Sequence, residues 1–459
     1  MEILMNQSLI RLAESGQPAV LSENALREAL RIADLITKES RFPSSPGYMN
    51  GHAGTTVFLT AALPYLEDRI SLDACRSFLD RSLREMQKAA ACLRHAETAD
   101  LSLSSGLTGM IHALLQLYYM TGRSDYAGLL SDTAGLLVGR LPGSSIGPDL
   151  YLGISGCILV LARMLRDVAK LPFLTADKKN DMAECLSACM KQLLSMRGGS
   201  ADSALSGRNA GQPLPDHLWD TIRTGRAISG LGHGMAGIAC ALLQGVSALS
   251  EIPACSAGAD DALMADCLLA ARDALLFEIR TYNGSIREWP DLRPKGGAGQ
   301  TLHGICSGAP GIGLGLLASR GKCGTEENGE TADLLSSLAH STAKEADRLL
   351  ALAHDACLYA NLRETDHLCC GRASLAEYLL TYAHKTGSEE AVSYAGRLLA
   401  AMNADRQDRG SAFYRLPQGV SEADVSLFFG LSGIGFAFLR YAAYGSCRSG
   451  DSMPALLPF

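Results

Sequence analysis

Apolar residues along the chain are concentrated in seven runs, and each run follows a short glycine motif. The motif is Gly-x-x-Gly in six of the seven copies, whereas the copy GRAS at 371–374 ends in serine. Apolar side chains then fill a helical run, as in MIHALLQLYY and CILVLARML. Such self-similarity predicts a repeat architecture. The motifs begin at Gly51, Gly106, Gly153, Gly234, Gly308, Gly371 and Gly430.

The spacing of the motifs predicts two helices per repeat. Neighbouring motifs begin between 47 residues (106 to 153) and 81 residues (153 to 234) apart, enough for a helix pair with its loops. Segments between the runs, such as 23–40, 80–98 and 390–406, are amphipathic and helix-prone, and almost nothing is typical of a strand. We therefore expect an all-α fold, an α/α toroid (barrel) of seven inner and seven outer helices. An open solenoid is the alternative, and it differs in whether the first and last repeats pair.

The glycines and the loops indicate where a site would be built. We expect the glycine before each inner helix to adopt φ values that other residues resist. Helix N-termini would then face one end of the ring. The two longest gaps contain loop-like segments at 197–229 and 282–304, which we interpret as a lid or as walls of a substrate cleft. Tolerated surface insertion is an equal alternative.

Composition and charge narrow the class of protein. Hydrophobic residues make up 47% of the chain, which is typical of a globular protein with a large core. The net charge is −7, and no Lys/Arg cluster is interleaved with aromatic residues, which argues against nucleic-acid binding. The N-terminus lacks the pattern of a signal peptide, and the apolar runs are too short to span a bilayer. These features predict a cytoplasmic protein without stable membrane insertion.

The chain has 14 cysteines, and three of them lie where core packing is a poor explanation. Cys306 lies two residues before a motif glycine, and Cys369 and Cys370 lie directly before the next one. Because neighbouring turns of a ring lie side by side, three thiols could meet at one point. Thiolates are preferred zinc ligands, and three protein ligands leave a fourth tetrahedral position open. Packing cysteines or a redox pair remain alternatives.

Five motifs identify a family: GLGHGMAG (230–237), CSGAPGIG (306–313), LCCGRAS (368–374), LFFGLSGIGFAFLRYA (427–442) and the closing MPALLPF. In these motifs the chain resembles the lanthionine synthetase C-like cyclases, in particular the C-terminal cyclase domain of class II lanthipeptide synthetases. The resemblance extends from about residue 25 to the end. It implies an α/α toroid with Zn²⁺ bound by Cys306, Cys369 and Cys370, the last in place of the family's usual histidine. This is the three-cysteine variant of the zinc site.

The resemblance also implies a reaction. The family adds cysteine thiols of a precursor peptide to dehydroalanine or dehydrobutyrine, closing (methyl)lanthionine thioether rings. Zinc lowers the pKa of the thiol. His233 matches the family's acid/base histidine, and Asp149 matches its acidic residue, which orients or tunes that histidine or takes the thiol proton. Without the resemblance, a structural histidine and a helix N-cap would be the better interpretations of these two residues.

Several residues depart from the family pattern. Ile305 replaces a tryptophan, and Ser307 replaces a histidine or tyrosine, so a second acid/base group from this turn is in doubt. His303 is interpreted as a loop histidine with an ordinary partner, and His367 as a neighbour of the ligands rather than a ligand. His52 is interpreted as a turn residue.

Class II synthetases carry an N-terminal dehydratase, and this chain does not contain one. We therefore interpret it as an excised domain, a split partner or a stand-alone bacterial cyclase. Residues 1–24 would be an N-terminal extension or linker remnant, and residues 25–459 the toroid domain. A dehydrated precursor peptide and a dehydratase are the implied partners.

Three other functions compete with the cyclase. One is addition of glutathione or another thiol to dehydrated residues. Another is a non-catalytic scaffold with a structural zinc, which would need a fourth protein ligand. An α/α-ring glycosidase is the weakest, because it would need paired carboxylates at the ring mouth.

Overall fold

The computed structural model describes residues 18–38, 42–198, 217–251, 260–293, 303–319, 330–360, 365–445 and 456–458. Over these residues the chain forms fourteen α-helices, with short 3₁₀ segments at Leu63–Tyr65 and Val168–Lys170. The same ranges contain no extended strand; β pairing is limited to isolated bridge positions such as the pair Asn283 and Glu288. The helices are α1 (Pro18–Lys38), α2 (His52–Ala62), α3 (Arg69–His95), α4 (Leu107–Thr121), α5 (Ser124–Arg140), α6 (Ile154–Arg166), α7 (Ala176–Ser195), α8 (Met235–Ser250), α9 (Asp261–Thr281), α10 (Ala309–Ser319), α11 (Glu330–Tyr359), α12 (Arg372–Thr386), α13 (Glu389–Asp408) and α14 (Leu431–Gly445).

The even-numbered helices form an inner layer, and the odd-numbered helices lie outside them. Every residue of α2 is buried, as are nearly all residues of α8 and α10. Their continuous apolar sequence suits a helix that is covered on all sides. The outer helices α3 and α9 alternate buried and exposed positions, as a helix with one face in water requires. The prediction of seven inner and seven outer helices is confirmed.

The ring is closed, so the structure is a toroid rather than an open solenoid. The last inner helix, α14, contacts the first inner helix, α2, and the outer helix α1 contacts both α13 and α14. Inner helices are also in contact with their neighbours all the way round. The first and last repeats therefore pair, which was the point that separated the two architectures.

A ring of backbone hydrogen bonds joins the seven glycine turns at one end of the toroid. In each turn, the residue two positions before the first glycine donates its backbone N–H to one neighbouring turn and accepts at its C=O from the other. The one exception is the turn at Gly308, where Ile305 is the donor and Cys306 the acceptor. We call these seven turns the turn ring. Its N–H to C=O bonds, all 2.7–3.1 Å long, are Met49 to Ser104, Ser104 to Tyr151, Tyr151 to Gly232, Gly232 to Cys306, Ile305 to Cys369, Cys369 to Phe428 and Phe428 to Met49.

The motif glycines are required by close approach, and the expectation of unusual φ values is wrong. The first glycine of the motif is extended, with φ of −128° at Gly51 and −112° at Gly234, which any residue can adopt. At the second glycine the helix lies against its own incoming turn. A Cβ on Gly237 would lie 1.9 Å from the carbonyl oxygen of Leu231. A Cβ on Gly433 would lie equally close, at 1.9 Å, to the carbonyl oxygen of Leu427.

The two long loops are partly described. In the first, Trp219 is buried and its indole N–H donates to the carbonyl oxygen of Leu193 at 2.7 Å. In the second, Trp289 is buried and donates to the carbonyl oxygen of Glu278 at 2.8 Å. Both loops are thus anchored to the outer layer, whereas 199–216 and 294–302 lie outside the described residues. Their interpretation as a lid or cleft wall stays a prediction.

The N-terminal boundary also stays a prediction. Helix α1 begins at Pro18, and Ser22 already donates a hydrogen bond to the carbonyl oxygen of Ala442 in α14. Ala25 and Ala29 are buried in the core. Residues 1–17 lie outside the described residues. Over the described part of the chain, no helix has the length and apolarity to cross a bilayer.

Candidate metal centre

Three thiols meet at the turn ring, as the spacing of the motifs predicts. The sulfur of Cys370 lies 2.8 Å from that of Cys306 and 3.5 Å from that of Cys369, and all three lie within 4.8 Å of one another. These cysteines are free thiols, and 2.8 Å is well beyond the roughly 2.05 Å of a disulfide. Sulfurs around a tetrahedral zinc would be about 3.8 Å apart, given a Zn–S distance of about 2.3 Å. The Cys306 and Cys370 sulfurs lie closer than this, so they would have to move apart by about 1 Å for the three thiols to hold a zinc ion.

One side of the cluster is open. Cys369 is buried, whereas Cys306 and Cys370 are partly exposed. Within the described ranges, no further His, Cys, Asp or Glu joins these three as a potential ligand. A structural zinc site is closed by four protein ligands, but a catalytic site keeps a position free. The arrangement is that of a site that can accept a ligand from outside.

The backbone explains why these cysteines converge. Cys306 and Cys369 occupy the same position in neighbouring turns, and the N–H of Ile305 donates to the carbonyl oxygen of Cys369 at 2.7 Å. Gly304 has a φ of +140°, and a Cβ there would lie 2.4 Å from the Cα of Cys370. Only glycine allows both this conformation and this contact. The adjacent cysteines can then turn their thiols toward Cys306.

Electrostatics within the cluster also favour a cation. Hydrogen bonds from the thiols of Cys369 and Cys370 hold the pKa of Cys306 well below its ordinary value. The hydrogen bonds that Cys369 and Cys370 form with this thiolate, together with burial and its negative charge, raise the pKa of both thiols well above the ordinary range. One thiolate, at Cys306, is therefore stabilised in this cluster, whereas deprotonation of Cys369 or Cys370 would place a second negative charge next to it and is disfavoured. A divalent cation would remove that repulsion and hold all three thiolates.

Asp149 and His233, 84 residues apart, form a hydrogen-bonded pair beside the cluster. His233 Nδ1 lies 3.0 Å from Asp149 Oδ2, and the other oxygen of Asp149 accepts from the backbone N–H of Leu152 at 2.6 Å. Asp149 is buried, while the His233 side chain is 32% exposed. Burial alone would lower the pKa of His233, but Asp149 and the charge of Cys306 outweigh it, so the pKa is raised. This histidine keeps Nε2 for another partner.

The other sequence-predicted histidines have separate partners. His303 Nδ1 lies 3.0 Å from Glu288 Oε1, which agrees with a loop histidine. His367 is buried, and its Nδ1 lies 3.3 Å from the carbonyl oxygen of Phe428. Burial lowers the pKa of His367, and it is not one of the grouped ligands. His52 lies on the first turn and bonds the hydroxyl of Ser82 at 2.8 Å.

Sequence reasoning missed two residues at this site. Tyr151 occupies the same turn-ring position as Cys306 and Cys369, and its ring lies edge-on to that of His233 with centroids 5.5 Å apart. Tyr151 lies two residues before its motif glycine, as Cys306 does, and this shared spacing is the sequence signal that could have identified it.

Glu278 of the outer helix α9 is the second. It is fully buried, and its Oε1 accepts from the backbone N–H groups of Gly230 and Ala236, which flank His233, at 2.8 and 2.9 Å. Burial raises its pKa to about 8. A single acid within the apolar run ALLFEI was the available signal.

The fold and the site together define an α/α toroid with a three-thiol cluster at one end of its ring. The family model described as "Lanthionine synthetase C-like protein" matches residues 11–140 and 209–448. The chain therefore belongs to the lanthionine synthetase C-like protein family.

Structure comparison agrees on the fold. Fourteen solved chains match. Among them is one described as nisin cyclase, with a TM-score of 0.56 and 15% sequence identity, covering 94% of this chain and 97% of that one. A comparison with curated protein sequences gives no match.

Proposed function

We propose that this chain is a zinc-dependent peptide cyclase of the three-cysteine type. It would form lanthionine and methyllanthionine rings by adding cysteine thiols of a precursor peptide to its dehydroalanine or dehydrobutyrine residues. The observation that carries the proposal is the juxtaposition of an open three-thiol cluster with the Asp149–His233 pair. Family membership and the similarity to nisin cyclase support it.

The proposed reaction assigns metal binding to the three cysteines and proton transfer to His233, which Asp149 orients. Cys306, Cys369 and Cys370 would hold zinc, which when bound lowers the pKa of a substrate thiol and keeps its sulfur nucleophilic. The thiol proton passes to solvent, and the sulfur adds to the β-carbon. His233, whose raised pKa favours its protonated form, donates a proton to the α-carbon. Asp149 accepts a hydrogen bond from Nδ1 and so leaves Nε2 as the donor.

The open side of the cluster separates this proposal from a scaffold with a structural zinc. A structural site would need a fourth protein ligand, and the described residues group three. The glycosidase alternative lacks support, because the site presents thiols and a histidine rather than paired carboxylates. Addition of glutathione or another small thiol uses the same groups, so only the substrate distinguishes it from ring closure.

The test uses the purified chain, zinc and a precursor peptide containing dehydroalanine and cysteine. Ring closure leaves the peptide mass unchanged, so the readout is loss of thiols that an alkylating reagent can modify. We expect alkylation to disappear with the enzyme and to persist without it. Persistent alkylation with zinc-loaded enzyme would refute the cyclase. Mass addition from glutathione, at a rate exceeding ring closure, would favour the thiol-adding alternative.

The extra thiolate at Cys370 has its own consequence. Three thiolates place more negative charge on the site than two thiolates and an imidazole, so the bound sulfur should be more nucleophilic and tolerate varied ring sizes. A Cys370→His variant should narrow the range of rings formed, and unchanged ring selectivity would contradict this explanation. A dehydratase partner and a bacterial cytoplasmic location are part of the same proposal.

A further inference from the structure

The hydroxyl of Tyr151 is a buried hydrogen-bond donor without a partner. The residue is 5% exposed, and within the described ranges its hydroxyl oxygen has no hydrogen-bonding group in reach. Buried hydroxyls are normally bonded, because leaving one unpaired costs free energy. Tyr48, on another turn of the ring, shows the usual solution, since its hydroxyl donates to the carbonyl oxygen of Leu456 at 2.6 Å.

The surroundings hold the Tyr151 ring in one place beside the proposed chemistry. Its ring lies edge-on to His233 on one side, at 5.5 Å, and to Phe428 on another, with centroids 5.8 Å apart. Gly232 packs against a third part of the ring: a Cβ at this position would lie only 2.6 Å from Cε2 of Tyr151, so the ring has room there because residue 232 is glycine. The backbone N–H groups of Leu150 and Tyr151 both donate to the carbonyl oxygen of Gly232 at 3.1 Å. The phenol is thus clamped to the turn that carries His233.

Burial keeps this phenol protonated. Burial raises the pKa of Tyr151 well above its ordinary value, and the negative charges of the three cysteines and Asp149 raise it further. The edge-on contact between its ring and that of His233 places the phenol beside the site. A phenol in this setting can donate a hydrogen bond but does not give up its proton.

We propose that Tyr151 is a further catalytic residue that donates a hydrogen bond to the carbonyl oxygen of the dehydrated residue under attack. When the thiolate sulfur bonds to the β-carbon, the Cα–Cβ π electrons move into an enolate, and negative charge develops on that oxygen. Protonation of the α-carbon by His233 restores the carbonyl, and the Tyr151 O–H bond stays intact throughout. A preorganised donor aimed at developing charge accelerates such a step. This inference rests on the proposed function and adds a role to it.

The test is a Tyr151→Phe variant, which keeps the ring against His233 and removes the hydroxyl alone. We expect kcat for ring closure to fall about 100-fold, with KM changed by less than about threefold, because the hydrogen bond strengthens as charge develops. Zinc content should be unchanged. The thermal unfolding midpoint should be unchanged or higher, because an unpaired hydroxyl leaves the interior.

A Tyr48→Phe variant is the matched control. It removes a buried hydroxyl with a protein partner, so its unfolding midpoint should fall while kcat is unchanged. The pH at which activity falls provides a second readout, and Tyr151→Phe should leave it where it is, since Tyr151 does not set the charge of His233.

The outcomes separate the two proposals. Wild-type kcat in Tyr151→Phe, with active wild-type enzyme, would overturn the role of Tyr151 alone. A parallel fall in kcat and in the unfolding midpoint would show a structural hydroxyl and would also overturn it. Wild-type enzyme that binds zinc but closes no ring would refute the proposed function itself.

Discussion

Two arcs of the turn ring share one backbone and differ in their side chains. The arc of the turns beginning at Gly153, Gly234, Gly308 and Gly371 carries the thiols, the histidine and the buried tyrosine. The other arc, at Gly51, Gly106 and Gly430, is joined by the same hydrogen bonds. At the position two before the glycine it has Met49, Ser104 and Phe428, which pack or bond within the scaffold.

This difference separates what the repeat does from what the site does. The glycines and the backbone ring are common to both arcs, so they explain the toroid but not its chemistry. The chemistry follows from which side chains occupy equivalent positions of four neighbouring turns. This difference can be tested with two kinds of substitution. Side-chain changes on the chemical arc should affect the reaction, and substitution of the second motif glycine on either arc should affect stability.

The largest effect is expected from removing thiols on the chemical arc. We expect roughly one zinc per chain in the wild type. Cys306→Ala and Cys370→Ala should each lose most of it, and cyclisation should fall at least about 1,000-fold, since only two thiolates remain as ligands. Metal analysis of protein purified under reducing conditions gives the stoichiometry, and circular dichroism checks the fold.

Cys267→Ala is the control for this experiment. Cys267 is buried in α9, and burial raises its pKa to about 12, so it should not contribute a ligand. It should keep its zinc. Equal zinc in the Cys306 variant and in this control, or no zinc in reduced wild-type protein, would contradict the metal site.

Removing the partner of His233 should change both rate and pH dependence. Asp149→Asn should lower kcat about 100-fold or more, because Nδ1 loses its charged acceptor. Since Asp149 raises the pKa of His233, the variant should lose activity at lower pH than the wild type as the pH rises. A pH profile of kcat measures the shift.

Ser105→Ala on the other arc is the matched control, because Ser105 precedes Gly106 as His233 precedes Gly234. Its hydroxyl bonds Asp100 within its own turn. Its pH profile should match that of the wild type. An unshifted pH profile in Asp149→Asn would show that the Asp149–His233 pair does not determine the pH at which activity is lost.

Glycine substitutions should affect the two arcs alike. Gly237→Ala on the chemical arc and Gly433→Ala on the other should each lower the free energy of unfolding by about 2 kcal/mol or more, because the new Cβ would meet a backbone carbonyl at 1.9 Å. Denaturant unfolding compares them.

Gly128→Ala in the outer helix α5 provides the contrast. A Cβ there has no atom within 4 Å, so the variant should gain about 0.5–1 kcal/mol from helix propensity. A loss confined to Gly237→Ala would contradict a shared scaffold.

The smallest effect, taken per pH unit, concerns Glu278 beneath the His233 turn. Its pKa is about 8 when folded and 4.5 in its ordinary state, so between these pH values the unfolded chain releases a proton that the native one keeps. Stability should therefore fall as pH rises, by on the order of 1.4 kcal/mol per pH unit at most. Glu278→Gln should flatten this slope.

Glu85→Gln is the control for the slope. Glu85 lies on the outer helix α3, and its hydrogen bond with Lys88 lowers its pKa, so it is ionised in both states above about pH 5. Its substitution should leave the slope from pH 5 to 8 unchanged. An unchanged slope in Glu278→Gln would show that Glu278 does not retain its proton.

Much of the fold could be predicted because its signals are local. The Gly-x-x-Gly motif before each inner helix, and the amphipathic segments between them, lie within windows of 10 to 20 residues. The register of Cys306 and Cys369 relative to their glycines was equally readable, and it places both at one end of neighbouring repeats. The reason for the glycines was misjudged, because close approach is a property of packed chain segments that no local pattern displays.

The sequence by itself determined the number of repeats, the two kinds of helix and the cysteines that could meet. These follow from hydrophobic period and glycine position, which act over one or two turns of chain. The tertiary structure decided that the ring closes, that Asp149 forms a hydrogen bond with His233, and that Tyr151 of the preceding turn and Glu278 of the outer helix α9 both reach the His233 turn. The contacts at the site join residues 42 to 84 positions apart, and ring closure brings together Ser22 and Ala442, which are 420 positions apart. The energies of these contacts depend on burial and distance, which exist only once the helices pack.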